Sequence, residues 1–302
     1  MKNLKIDRGI LSLIQKVGIK NLIPDKLYLQ LKYKRDYGSY ISWNNPQRFD
    51  EKMQWLKLYY RKPIMVKLVD KYEVKKYVEK KIGAEYIIPT LNIYNTFDEI
   101  DFSKLPDQFV LKCTHDSGGN VICKNKKLLD QKIARTKIEC SLKKNFYYLM
   151  REWPYKHVRP RILAEEFITD AVHQDLIDYK FYCFNGIPKY CQIITNRSTN
   201  EAIDFFDENW IHQDFVGLNP TCKNNPDCSN MSKPMNYDKM LDMARTLAMD
   251  FPFVRIDFYN VNGKIYFGEI TFFPAGGFGV FTPNEWNYKL GEMIILPKKI
   301  NK

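Results

Sequence analysis

What this 302-residue chain has little of narrows its chemistry first. Its four histidines are too dispersed to form a metal cluster between them. The seven cysteines (Cys113, Cys123, Cys140, Cys183, Cys191, Cys222 and Cys228) are an odd number, scattered and mostly inside apolar runs. That usage fits reduced core thiols in a cytosolic protein rather than a disulfide framework. Cys222 and Cys228 lie close together but lack the second pair that a structural zinc site needs. No apolar run approaches ~18 residues, so no membrane-spanning helix is expected. Residues 1–7 lead into an amphipathic stretch, so no signal peptide is visible. No G-x-G-x-x-G follows a strand and no Walker lysine loop occurs, which argues against dinucleotide-fold and P-loop chemistry. There are no internal repeats and no low-complexity segment. Acids are outnumbered, 35 Asp and Glu against 47 Lys and Arg, for a formal charge of +12. An anionic partner fits that charge, whether a nucleotide, a phosphorylated sugar carrier, a nucleic acid or a lipid surface. Apolar residues make up 45% of the chain, enough for a sizeable core.

Taken in order, Ile10, Leu11, Ile14 and Val17 recur at helical spacing, with lysines around them. A helix packed on the body fits this pattern, and so does a membrane-surface helix. Asn45 to Lys52 reads as a capped helix start, followed by an apolar stripe at Met53, Leu56 and Tyr59/Tyr60, and a second helix opens at Leu68 to Lys71 and stops at Gly83. Residues 86–89 read as a short strand and 124–151 as mostly helical and basic. Asn185-Gly186 between two apolar runs signals a hairpin. Residues 217–235, rich in Asn, Pro and Ser, read as a long loop. Tyr237 to Asp250 is expected to be a helix burying Met240, Leu241, Ala244, Leu247 and Ala248. This order favours α+β layers over a doubly wound parallel sheet.

Two stretches carry chemistry. In the first, Phe109-Val110-Leu111 runs into Lys112, then Cys113-Thr114-His115-Asp116-Ser117-Gly118-Gly119-Asn120, then Val121-Ile122-Cys123: a strand, a glycine loop and a strand. Glycine backbone can turn several N–H groups toward one anion, so the loop reads as a flap over a polyphosphate beside a fixed lysine. An ordinary hairpin with a surface lysine fits the same residues. The second stretch runs from Phe253 to Thr271 around Asn262-Gly263. A two-residue turn would set Asp257 opposite Gly268. A three-residue loop would pair Asp257 with Phe267 and Arg255 with Glu269. The second register is favoured because it keeps Val254, Ile256, Phe258 and Ile270 on one face and Arg255, Asp257, Glu269 and Thr271 on the other. Asp257 and Glu269 would then be diagonal neighbours, about 7–8 Å apart, able to converge on a hard cation or to form an ion-pair ladder with Arg255.

A lysine before a glycine loop, acids at Glu165-Glu166, then Arg255-Ile256-Asp257 and Gly268-Glu269-Ile270-Thr271 together resemble the ATP-grasp superfamily. Blocks at 49–58, 70–71, 106–120, 178–188 and 251–277 extend the resemblance to the TupA-like ATP-grasp proteins of bacterial surface-polysaccharide synthesis. The resemblance spans roughly residues 45 to 295. It implies an α+β ATP-grasp fold, two subdomains clasping a nucleotide: a helical region at 1–65, an N-terminal subdomain with the flap at 66–168, and a C-terminal subdomain with the metal hairpin at 169–302. It implies ATP and Mg2+ as cofactors. Lys112 would contact the phosphates, with His115, Ser117, Gly118, Gly119 and Asn120 in the flap. Glu165, Glu166, Phe167 and Ile168 would line the adenine, with Asp170 near the ribose. Lys180 would be a second phosphate lysine, Asp257 and Glu269 would hold magnesium, and Arg255 would stabilise the transferring group. Thr271 stands where the wider superfamily often has asparagine. Arg197, with Thr271, is the candidate on the substrate side, beside the loop at 217–235.

The activity so implied is an ATP-dependent carboxylate–amine ligase. Its partners would be a small-molecule or lipid-linked sugar acid and an amine or amino acid. It would work in the cytoplasm or at the inner face of the membrane, with the basic N-terminal helix as a membrane contact. A glycosyltransferase of the same pathway is the alternative, although the D-x-D triplet that many use is absent. Nucleic acid is not expected, since the basic residues are spread along the chain and match no nucleic-acid motif.

Overall fold

The computed structural model describes residues 22–169, 176–195, 201–218, 223–225 and 231–299. The N-terminal helix read at Ile10 to Val17 lies outside them, as do Asp170, Arg197, Cys222 and Cys228.

Four helices come first: α1 (Asp25–Tyr37), α2 (Phe49–Tyr59), α3 (Ile64–Val69) and α4 (Glu73–Ile82). The start of α2 is capped by Glu51, whose Oε2 accepts from the backbone N–H groups of Gln47 and Arg48 at 3.0 and 3.3 Å. The sequence predicts one helix opening at Leu68, but two form. Asp70 leaves helical geometry (ψ 117°), and its Oδ1 accepts from the N–H groups of Tyr72 and Glu73, so it caps the second helix instead of continuing the first.

A four-stranded antiparallel sheet follows, from β1 (Thr90–Tyr94), β2 (Phe109–Cys113), β3 (Val121–Cys123) and β4 (Ile162–Glu166), in the order β1-β4-β2-β3. The strand expected at 86–89 starts four residues later, at Thr90. Residues 84–86 form a tight turn, and Pro89 has no N–H to offer a ladder. Helices α5 (Gln131–Leu142) and α6 (Tyr147–Met150) lie between β3 and β4, and α5 packs against β2 and β3. Phe109, Leu111, Cys113, Ile162 and Ala164 fill this smaller core at 0% exposure, which forces Lys112 and Glu165 onto the opposite face of the sheet.

The larger sheet contains β5 (Asp178–Phe184), β6 (Ile187–Thr195), β7 (Ala202–Asp207), β8 (His212–Gln213), β10 (Phe253–Val261) and β11 (Lys264–Thr271). Its order is β11-β10-β5-β6-β7-β8, all antiparallel. The short strands β9 (Val216–Gly217) and β12 (Phe281–Thr282) pair separately. Asn185 and Gly186 both take positive φ, the turn geometry that a two-residue hairpin needs. Helix α7 (Tyr237–Ala248) covers the sheet with the expected stripe from Met240 to Ala248, and α8 (Glu285–Glu292) packs on α2. Residues of α2, α3 and α4 share the core of this sheet; Phe49, for example, meets Phe253 and Phe281 edge-on at 5.0 and 5.3 Å.

Candidate active site

The β10–β11 hairpin starts in the two-residue register read from the sequence and leaves it before Asp257. Its turn has two residues, Asn262 and Gly263, both at positive φ, with Val261 opposite Lys264. Phe258 then faces Phe267, and the register shifts by one at Gly268. Beyond this bulge Asp257 lies directly opposite Glu269, and Arg255 opposite Thr271. Alternation alone could not reveal an inserted residue. The two-residue turn overturns the favoured three-residue loop, and the bulge is what restores the favoured faces. Val254, Ile256, Phe258 and Ile270 are buried together, and the four polar residues meet on the other side.

That polar face is a lattice of charge. Arg255 donates from Nε and Nη2 to both oxygens of Asp257, each at 2.7 Å. Its Nη2 also reaches Glu269 Oε1 at 2.7 Å and Thr271 Oγ1 at 3.1 Å. Lys180, opposite Asp257 on β5, donates to Asp257 Oδ2 at 2.5 Å. Burial pushes the Asp257 carboxyl up, against the pull of Arg255 and Lys180. Burial also acts upward on Glu269, but Arg255, then Lys180 and Lys71, outweigh it and hold that carboxyl down at about 2. The Glu269 side chain keeps 45% of its surface open, so water weakens its pairing.

Across the cleft, Lys112 Nζ pairs with Glu165 Oε2 at 2.7 Å, and Lys75 Nζ pairs with Glu165 Oε1 at 2.7 Å. Lys75 also donates to Ile88 O and Thr90 Oγ1. Burial favours the neutral form of Glu165, yet the two ammonium groups prevail and hold its carboxyl below the usual range. Lys71 anchors the base of the glycine loop by donating to the carbonyls of Cys113 and Asp116.

These groups line one cavity of about 210 Å³. Lys71, Lys75, Lys112 and Lys180 face Asp257 and Glu269 there, with Glu165, Asp178 and Asn120 on its walls. The structure therefore brings together Lys112, Asn120, Glu165, Lys180, Asp257 and Glu269 of the expected set. Arg255 and Thr271 sit behind the two carboxylates as supports and are not part of the lining. The other expected residues stand elsewhere. His115 is buried, its Nε2 3.1 Å from Lys144 O, because Thr114 and His115 turn into the body of the small subdomain. Ser117, Gly118 and Gly119 line a separate groove against α5. Glu165 is in the cleft as the counter-ion of two lysines. Strand alternation turns Glu166 away from the lysine cleft, and as the last residue of β4 it is exposed there and joins Phe167 on another surface cleft; Ile168 borders neither.

Lys71, Lys75 and Asp178 were missed in the sequence. Lys75 lies on α4 beside the buried Val74 and Val78, and Lys71 stands in the turn just before that helix; nothing local in the sequence marked either amine for the cleft. Among the described residues, no three His, Cys, Asp or Glu side chains gather in metal-binding reach. Asp257 and Glu269 nevertheless suit magnesium in donor type, two carboxylates leaving positions for phosphate oxygens, and Glu269 Oε2 takes no hydrogen bond from the described residues.

Two antiparallel sheets closing on a cleft of lysines and carboxylates are the ATP-grasp architecture. Residues 51–295 match the family described as TupA-like ATPgrasp, and the chain belongs to that family. Among solved structures it is similar to the D-alanine–D-alanine ligase from Bacillus anthracis complexed with ATP, at 15% identity over 69% of this chain and 54% of that one, TM-score 0.39. It is also similar to the ATP-grasp ligase PsnB complexed with minimal precursor, Mg and ADP, at 10% identity over 74% of this chain and 57% of that one, TM-score 0.39. A third is the biotin carboxylase β-γ-ATP complex from Campylobacter jejuni, at 11% identity over 82% of this chain and 49% of that one, TM-score 0.42. The chain spans about half the length of these proteins. No curated protein sequence matches it.

Proposed function

We propose that this protein is an ATP-dependent, ADP-forming carboxylate–amine ligase that modifies a bacterial surface-polysaccharide precursor, joining an amino acid or other amine to a sugar carboxylate. One observation carries the reading: Lys112 from the small sheet and Asp257 and Glu269 from the large sheet line one cavity. In this reading residues 66–168 form the flap half and 169–302 the metal half, after a helical region at 1–65.

The chemistry asks for positioning and charge neutralisation more than for covalent help. Lys71, Lys112 and Lys180 offer cations to a triphosphate from both walls. Lys75 and Glu165 hold the Lys112 amine in place. Asp257 and Glu269 would hold magnesium, which when bound neutralises phosphate charge. A carboxylate oxygen of the acceptor attacks the γ-phosphorus and ADP leaves. The amine then attacks the acyl carbon and inorganic phosphate departs. The glycine loop would close over the site, keeping water from the acyl phosphate.

The test is ADP release from Mg-ATP in the presence of candidate sugar acids and amino acids. Wild-type protein should release ADP only with a matching pair. Lys112→Ala, Asp257→Asn and Glu269→Gln should each lose about 10²–10³-fold in kcat, the scale of one preorganised charge contact. Wild-type rates in all three would remove this cavity as the active site.

A further inference from the structure

Residues 121–150 carry eight lysines and arginines against Asp130 and Glu139, a net +6 of the chain's formal +12. The same segment exposes aliphatic side chains: Ile122 at 59%, Leu128 at 82%, Ile133 at 67% and Leu149 at 44%. These are not scattered. Ile122, Leu128 and Ile133 border one groove of about 520 Å³ beside the edge strand β3. Ile133 and Leu149 border a second of about 630 Å³ between α5 and the outer side of the glycine loop. Ile133 and Lys137 belong to both, so the two grooves form one continuous face. Lys124, Lys132, Lys137 and Lys144 edge it and are exposed.

Exposed aliphatics within a rim of lysines answer two properties of an anionic bilayer at once. The side chains offer insertion below the headgroups, and the amines offer attraction to a negative surface. A surface for single-stranded nucleic acid would present aromatic stacking platforms; here Phe146 is the one aromatic residue bordering the two grooves, and the exposed apolar side chains are aliphatic. We propose that the β3–α5 face of the small subdomain docks on anionic lipid membrane. Docking there sets the outer side of Gly118 and Gly119 against the headgroup layer, with the nucleotide cleft on the other side of the loop. Leu128, Lys132, Ile133 and Lys137 lie outside the lining of that cleft, so bilayer binding can be altered without touching it.

Co-sedimentation of the full chain with vesicles of phosphatidylcholine alone, or of phosphatidylcholine with phosphatidylglycerol, tests this. Wild-type protein should partition onto the anionic vesicles and be released by added salt. The pair Leu128→Asp and Ile133→Asp, and separately the pair Lys132→Glu and Lys137→Glu, should each lower the partition roughly tenfold or more. Lys289→Glu, an exposed lysine on α8, should bind like wild type. ADP release should be unchanged in all of these variants, so failure here and failure of the ligase reading are told apart. Unaltered vesicle binding by both pairs overturns the proposal, as does no preference for anionic vesicles. Competition by duplex DNA at equal charge, or a self-association that these substitutions abolish, would assign the face to nucleic acid or to a second copy instead.

Discussion

Asp257 and Glu269 face each other directly across β10 and β11, because a bulge at Gly268 corrects by one residue the register that the Asn262-Gly263 turn imposes. Gly268 has little room for a side chain: a Cβ there would lie 3.0 Å from the Asp257 carbonyl oxygen. Gly268→Val should therefore force the two strands apart at the site. We expect a loss of about 1–3 kcal/mol in urea unfolding, the scale of an overpacked substitution. ADP release should fall more steeply than stability, because the two carboxylates are displaced together.

Arg255 supports both carboxylates from behind, with two hydrogen bonds to Asp257 and one to Glu269. Arg255→Met should leave Asp257 buried with Lys180 as its remaining cationic partner, at a cost of about 3–5 kcal/mol for breaking a buried pair. Arg255→Lys should recover only part of this, since an ammonium cannot reproduce the planar fork. Denaturant midpoints of the two variants check the order.

Glu165 gives the molecule a pH signature. Its carboxyl is held below the ordinary range by Lys112 and Lys75 against the opposing effect of burial. The unfolded chain, with an ordinary value of about 4.3, takes up the proton first as pH falls. The pairing therefore contributes fully above that value and is lost as pH drops through the depressed native one. Urea midpoints measured across this acid range should decline in the wild type and decline less in Glu165→Gln.

Lys57 is fully buried, and its amine donates to Gln54 Oε1 at 2.9 Å, to Met150 O at 2.8 Å and to Gly276 O. It ties α2 to the turn at 274–277 that follows the β10–β11 hairpin, where Ala275, Gly276 and Gly277 all take positive φ. Lys57→Met should leave buried carbonyls unpaired and cost about 2–4 kcal/mol. Thermal unfolding followed by circular dichroism would register it.

The sequence revealed the elements whose signal is local. Lys112 at a strand end, the Asn185-Gly186 turn and the apolar stripe of α7 depend on neighbours in the chain, and each stands where the pattern put it. The shared polar face of Arg255, Asp257, Glu269 and Thr271 was legible for the same reason. What escaped was decided by packing between distant segments. The bulge at Gly268 lies five residues from the turn, where the strands approach too closely for a side chain, and the turn residues carry no sign of it. His115 follows glycine-loop logic in sequence, yet buries itself against the end of α5. Glu165 meets Lys75 only because α4 returns to the small sheet, so its place between two amines had no trace in its own strand.

Lys112 and Glu269, 157 positions apart in the chain, should serve one nucleotide. Calorimetric titration of Mg-ATP into wild type, Lys112→Ala, Glu269→Gln and the double variant measures whether they do. Each single change should weaken binding by about 1.5–3 kcal/mol, the scale of a charged contact, and the double variant should lose less than their sum because both sites act on the same ligand. Wild-type affinity in either single variant would contradict it.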